Sequence, residues 1–191
     1  MLLYGYDIDL LNWINHHLIP YSTPVLRVIS NSTTYISVAL TLMVLIISIV
    51  KRWKSLRRQF FILALVLVLV AIVSQGLKSI IYRERPFITY PFIEKLSDGG
   101  GSSFPSGHTL EAFSMAVALS LLFSKKKLII PVYVWAMLVA YSRMALGVHY
   151  PSDVLAGIFI GTFIGLSVPW GFYRFTSRGD INNPMSQSGL W

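Results

Sequence analysis

The chain has 191 residues and a mean hydropathy of +0.63, with 54% hydrophobic and only 13% charged residues. That is too little charge for a water-soluble domain of this size. The net charge of +8 sits mostly in links between apolar runs, which argues against nucleic acid as a partner. The absence of cysteine excludes disulfides, thiolate metal sites and thiol nucleophiles.

Residues 1–11 lack a basic segment and carry Asp7 and Asp9, unlike a signal peptide. Over residues 7–19, Ile8, Leu11, Ile14 and Leu18 recur at helical spacing, with Asp9, Asn12, Asn15 and His16 elsewhere. This pattern predicts an amphipathic helix lying on the membrane surface, with His16 and His17 as interfacial polar residues. Pro20 and Pro24 then break the chain. Five apolar runs follow, at residues 36–50, 60–77, 110–123, 128–146 and 154–172. A span needs about 20 mostly apolar residues. The first and third runs are short, and residues 23–35 and 105–109 extend them. The expected fold is all-α: one membrane domain over residues 1–175, with five transmembrane helices plus an N-terminal amphipathic helix that becomes a sixth if it spans. Residues 176–191 form a polar tail expected to be poorly ordered, and no internal repeat is visible.

The links carry the topology. Lys51, Arg52, Lys54, Arg57 and Arg58 follow the first span, Lys125, Lys126 and Lys127 the third, and Arg174 and Arg178 the fifth. All fall on one side, which the positive-inside rule makes cytoplasmic; a lipid-headgroup site is the alternative use of the same charges. The other side holds residues 1–32, 82–104 and 147–151. The long loop ends in Gly99-Gly100-Gly101-Ser102-Ser103, flexible by composition, and serves either substrate entry or plain linkage.

Three clusters lie in or beside those outward segments. Lys78 and Arg85-Pro86 supply cations at the end of the second span, and Arg143 adds another near the end of the fourth. Any one alone could be a charge snorkelling to the interface, but three converging with two histidines suit a phosphate. Pro105-Ser106-Gly107-His108 opens the third span. The free N–H groups and dipole of a first helical turn make an anion site, Gly107 lets a phosphate oxygen approach the backbone, the Ser106 hydroxyl adds a donor, and His108 can protonate a leaving group. In Ser142–Asp153, His149 precedes a helix start in which Asp153 can reach back to the imidazole. A carboxylate on one ring nitrogen fixes the tautomer and makes the other a better nucleophile; Asp153 can also simply cap the helix. Two histidines and an aspartate could bind zinc, yet three nearby cations oppose a divalent ion. Glu111 lies one helical turn inside the membrane from His108, to orient it, to meet a substrate headgroup, or to pair within the bundle.

Lys-x6-Arg-Pro, Pro-Ser-Gly-His and Ser-Arg-x5-His-x3-Asp, complete and in order over residues 78–153, resemble the three-part signature of the type 2 phosphatidic acid phosphatase superfamily. The resemblance implies a six-helix bundle and a cofactor-free, metal-independent lipid phosphatase working through a phosphohistidine. His149 would be the nucleophile, Asp153 its orienting partner and His108 the general acid. Lys78, Arg85, Ser106, Gly107 and Arg143 would hold the phosphoryl group. The spans argue against the soluble acid phosphatases and vanadium haloperoxidases of the same superfamily. The implied partners are a lipid phosphate and membrane lipids, with no obligate protein partner. The implied location is the cytoplasmic membrane, with the site facing outward. Undecaprenyl pyrophosphate is the preferred substrate, lipid A second, and phosphatidylglycerophosphate or phosphatidate further candidates; phosphotransfer to another lipid uses the same residues.

Overall fold

The computed structural model describes residues 2–17, 22–123 and 126–181. Among these residues the regular structure is all helical, in the order α1 (Leu2–His16), α2 (Thr23–Asn31), α3 (Thr33–Val50), α4 (Lys54–Ile80), α5 (Pro86–Thr89), α6 (Gly107–Phe123), α7 (Lys126–Ala145) and α8 (Pro151–Ile181). By length and composition α3, α4 and residues 151–174 of α8 are long and apolar enough to cross a membrane, while α6 and residues 129–145 of α7 are shorter apolar helices.

The packing follows from what each helix turns inward. The buried residues of α3 are Thr33, Ser37, Thr41, Val44 and Ser48, a stripe of mostly small hydroxyl residues. Its large apolar residues, among them Val38, Leu42, Ile46 and Ile49, point outward. This inversion is the pattern of a helix whose outer surroundings are as apolar as Leu, where small residues let helices approach. Helix α6 sits at the centre, packed by α3, α4, α7 and α8 and buried almost all round from Thr109 to Leu119. The α8 face against it is glycine: a Cβ at Gly157, Gly161 or Gly165 would come within 2.8, 2.4 and 2.6 Å of the carbonyl oxygens of Ser106, Leu110 and Ser114. The single Ser114 hydroxyl proton is within hydrogen-bond reach of Leu110 O on its own helix, at 2.8 Å, and of Gly161 O across this seam, at 3.0 Å.

The antiparallel course of the helices separates two ends. At one, Gln59 of α4 donates to Leu122 O of α6 at 3.1 Å, and Arg58 lies over the Tyr173 ring of α8 at 4.9 Å. The C-terminal ends of α4 and α7 and the N-terminal ends of α6 and α8 meet at the other, where α1, α2 and the 81–106 loop also pack.

Four expectations are revised. Helix α1 is not merely laid on a surface: Leu11 and Ile14 are buried as expected, but so is Asn15, because its amide bridges loop and bundle (Leu18 lies outside the described residues). Residues 23–31 do not extend the first span but form the separate helix α2, ended by a turn at Ser32. Helix α6 starts at Gly107, so Pro105, after a cis peptide bond, precedes the helix instead of opening it. Helix α8 continues to Ile181, taking in residues 176–181 of the expected tail; residues 182–191 lie outside the described residues.

Candidate active site

The α7–α8 connection is built to hold His149 still. Gly147 has φ +71°, and a Cβ there would lie 2.2 Å from Glu94 O, so only glycine fits. The Arg143 carbonyl accepts the N–H groups of Val148 and His149 at 3.2 and 3.3 Å, and Leu146 O accepts Leu96 N–H at 3.0 Å. The Asn15 amide donates to Glu94 O and Ala145 O and accepts Glu94 N–H, tying α1, the loop and the end of α7 together. Pro151 then starts α8, as expected.

Asp153 caps the helix and faces the ring. Its Oδ2 accepts Tyr150 N–H at 3.0 Å, the backward reach of a capping box, and lies 3.6 Å from His149 Nδ1. Ser103 donates its hydroxyl to the same oxygen at 2.5 Å and stands 3.4 Å from Nδ1. Oδ1 takes a 2.6 Å hydrogen bond from Arg83. On the far side of the ring, Arg85 Nη1 is 3.5 Å from Nε2. A guanidinium only donates, so Nε2 carries the lone pair and Nδ1 the proton facing Asp153. Burial pushes the His149 pKa down to about 4, Arg143 and Arg85 adding to the effect and Asp153 opposing it, so the ring is neutral at pH 7.

The cations arrive from three directions. Arg85 is fixed by carbonyls, with Nε on Gly101 O at 3.2 Å, Nη2 on Gly100 O at 2.8 Å and Nη1 on Val148 O at 2.9 Å. The glycine run therefore cradles Arg85, and a Cβ at Gly99 would sit 2.8 Å from Nη1. Burial lowers the Arg85 pKa against the pull of Asp153. Arg143 donates to the Ser30 hydroxyl of α2. Lys78 is half-buried and interacts electrostatically with Arg85, Arg143 and Asp153. A Cβ at Gly107 would lie 3.1 Å from Ser74 Oγ and 3.9 Å from Lys78 Nζ, so this glycine also admits α4. Arg85, Arg143, His149 and Asp153 are 3%, 2%, 1% and 0% exposed and form a floor; Lys78, Gly107 and His108 are half-buried and form the rim.

His108 interacts electrostatically with Arg143, His149, Lys78 and Arg85, which brings both expected histidines and the three expected cations near one another. Ser106 is buried with its hydroxyl 2.9 Å from Thr109 Oγ1, its N–H on Asp153 O at 3.1 Å, and its carbonyl accepting Leu110 N–H, the first α6 hydrogen bond. The helix therefore presents free N–H groups near Gly107. Glu111 takes a 2.8 Å hydrogen bond from Thr34 of α3, a pairing within the bundle, and makes no hydrogen bond to His108 among the described residues. Nor is any group of three or more His, Asp or Glu placed to hold a metal ion among those residues.

Sequence reasoning missed Ser103, Arg83, Ser30 and Asp7. Ser103 and Arg83 stand inside segments already singled out, but nothing in their spacing points them at Asp153. Asp7 lies 146 positions before Asp153 (153 − 7) and is linked to it through Arg83, at 2.7 and 2.6 Å.

A family model described as the PAP2 superfamily matches residues 59–177. An undecaprenyl-diphosphatase of Sulfolobus acidocaldarius is 32% identical over 84% of this chain and 75% of its own length. Undecaprenyl-diphosphatase BcrC of Bacillus subtilis is 30% identical over 75% of the chain and 71% of its own. A lipid A 4'-phosphatase of Bacteroides thetaiotaomicron is 37% identical over 56% of the chain, a match spanning 47% of that protein's length. Among solved structures, Aquifex aeolicus LpxE superposes with a TM-score of 0.71 at 25% identity, covering 85% of this chain and 94% of that one.

Proposed function

The chain belongs to the PAP2 superfamily, and on that premise we propose that it hydrolyses the phosphate or diphosphate end of a membrane lipid through a phosphohistidine, without metal or cofactor. The carrying observation is His149: a buried neutral ring with Nδ1 facing Asp153 and a lone pair on Nε2 beside Arg85. Nε2 attacks phosphorus, an N–P bond forms, and the P–O bond to the leaving group breaks. Lys78, Arg85, Arg143 and the amides at Gly107 take up the charge on the equatorial oxygens. His108 gives its proton to the departing oxygen. The dianionic substrate is what allows His108 to be protonated among three cations. Water then attacks, His108 accepts its proton, the N–P bond breaks and phosphate leaves.

The preferred substrate is undecaprenyl diphosphate, because the two relatives matched over more than two thirds of their length bear that activity's name, whereas the lipid A phosphatase match spans less than half of that protein. Five crossing helices, the cytoplasmic membrane and an outward-facing site complete the proposal. The basic links at the end away from the site support that orientation.

Phosphate release by the purified protein from undecaprenyl diphosphate, lipid A, phosphatidylglycerophosphate and phosphatidate tests the activity and ranks the substrates. His149→Ala should lower the rate by about 10⁴-fold or more, and activity should survive EDTA. Full activity in His149→Ala, or loss in EDTA restored by zinc or magnesium, overturns the mechanism. The cysteine-free chain makes orientation directly readable. In cells, Tyr82→Cys at the site end should react with an impermeant maleimide and Trp53→Cys should not; the reverse pattern inverts the topology.

A further inference from the structure

We propose that the N-terminal helix is part of the catalytic machinery, with Asp7 acting through Arg83 as a positioning residue that keeps Asp153 aimed at His149 and keeps the group facing the ring net negative. This rests on His149 being the nucleophile.

Arg83 divides its fork between two carboxylates. Nη1 serves Asp153 Oδ1 at 2.6 Å and the Ser152 hydroxyl at 2.7 Å, and Nη2 serves Asp7 Oδ2 at 2.7 Å. Asp7 in turn accepts the Ser152 backbone N–H at 2.8 Å and its hydroxyl at 2.5 Å, so it also caps the first turn of α8. The guanidinium lies 3.8 Å over the Tyr150 ring. Asp153 is fully buried at 0% side-chain exposure, and Asp7 and Arg83 behind it are 9% and 17% exposed. Burial alone would lower the Arg83 pKa, but Asp153 and Asp7 together raise it, so the cation is permanent.

The charge count gives Asp7 its role. When Nε2 attacks, the His149 ring becomes positive. The charges around it are Arg85 from the loop, Arg143 from α7 and Asp153 from α8, with Lys78 of α4 and His108 of α6 at the rim. Asp153 paired with Arg83 alone is a neutral unit and does little for a developing imidazolium. Adding Asp7 makes the unit net negative while Arg83 still fixes Oδ1, leaving Oδ2 for the ring. Low dielectric magnifies that difference.

Asp7→Asn tests this: the charge is lost, the amide oxygen still accepts from Ser152 or from Arg83, and the amide NH2 faces the other. Its kcat should fall on the order of tenfold, with KM within about twofold. The acid limb of kcat/KM should move to lower pH, because a ring facing a neutral unit is harder to protonate. Asp7→Asn/Arg83→Gln removes both charges and returns the limb toward its wild-type position, a recovery that damaged packing cannot give; it also serves should the single variant fold poorly. Wild-type kcat and limb in Asp7→Asn overturn the inference. So does a limb moving up toward ordinary histidine, the sign of a loosened, hydrated ring, or a double variant whose limb does not return. Wild-type protein that releases no phosphate from any lipid defeats the functional reading instead.

Discussion

Arg85 and Arg143 at the site end are buried among carbonyl and hydroxyl oxygens, whereas Arg58 and Arg174 at the other end are exposed and lie over the rings of Tyr173 and Trp170 at 4.9 and 5.0 Å. The residue type is the same and the physical state is not. An exposed guanidinium over a ring keeps most of its water and contributes little. A buried one has lost its water and is held by neutral acceptors, which leaves its charge uncompensated and suited to an anion. What separates the two kinds of arginine here is burial with neutral partners, not position near a helix end.

Three substitutions and one control probe this contrast, beginning with the largest expected effect. Arg143→Ala removes a buried cation and should lower kcat by about 10²–10³-fold, as the loss of one preorganised charge stabiliser does; a loss under about tenfold would place Arg143 outside the phosphate site. Gly161→Ala tests the seam joining the two ends. Its Cβ would meet Leu110 O at 2.4 Å, so α6 and α8 must separate, at a cost of about 1–3 kcal/mol. The melting temperature in detergent should drop, whereas Gly171→Ala, with nothing within 4 Å, should leave it unchanged. Equal melting of the two variants would mean that the seam tolerates a methyl group. Arg58→Ala, at the far end, should cost at most about 1 kcal/mol of stability and leave kcat unchanged; a tenfold loss of kcat would join the ends that the comparison separates.

Much of the site was legible because its residues are close in sequence or sit at helix ends. His149 and Asp153 straddle the α8 start, so the first turn alone puts the carboxylate near the ring, and a single hydrophobicity pattern places both at the end of the bundle where Lys78, His108 and Arg143 also fall. The glycine run was legible as glycine but not as a cradle: its use depends on three carbonyls meeting Arg85, which composition does not specify. Glu111 was visible as an intramembrane acid, but its partner Thr34 lies 77 residues away on α3. The polar inward stripe of α3 was hidden too, because a helix in lipid need not turn its apolar face inward.

By itself the sequence determined the helical character of the described residues, the end of the bundle at which the candidate site gathers, and a histidine beside its carboxylate, since hydrophobic runs and helix-start spacing are local properties that hold without tertiary contacts. Only the tertiary structure decided that Asp7 and Arg83 stand behind Asp153, that Ser103 shares its carboxylate, and that Gly157, Gly161 and Gly165 bring α8 against α6. Those contacts join segments far apart in the chain, and they form only when buried polar groups must find partners and helices must pack at the distances their smallest residues allow.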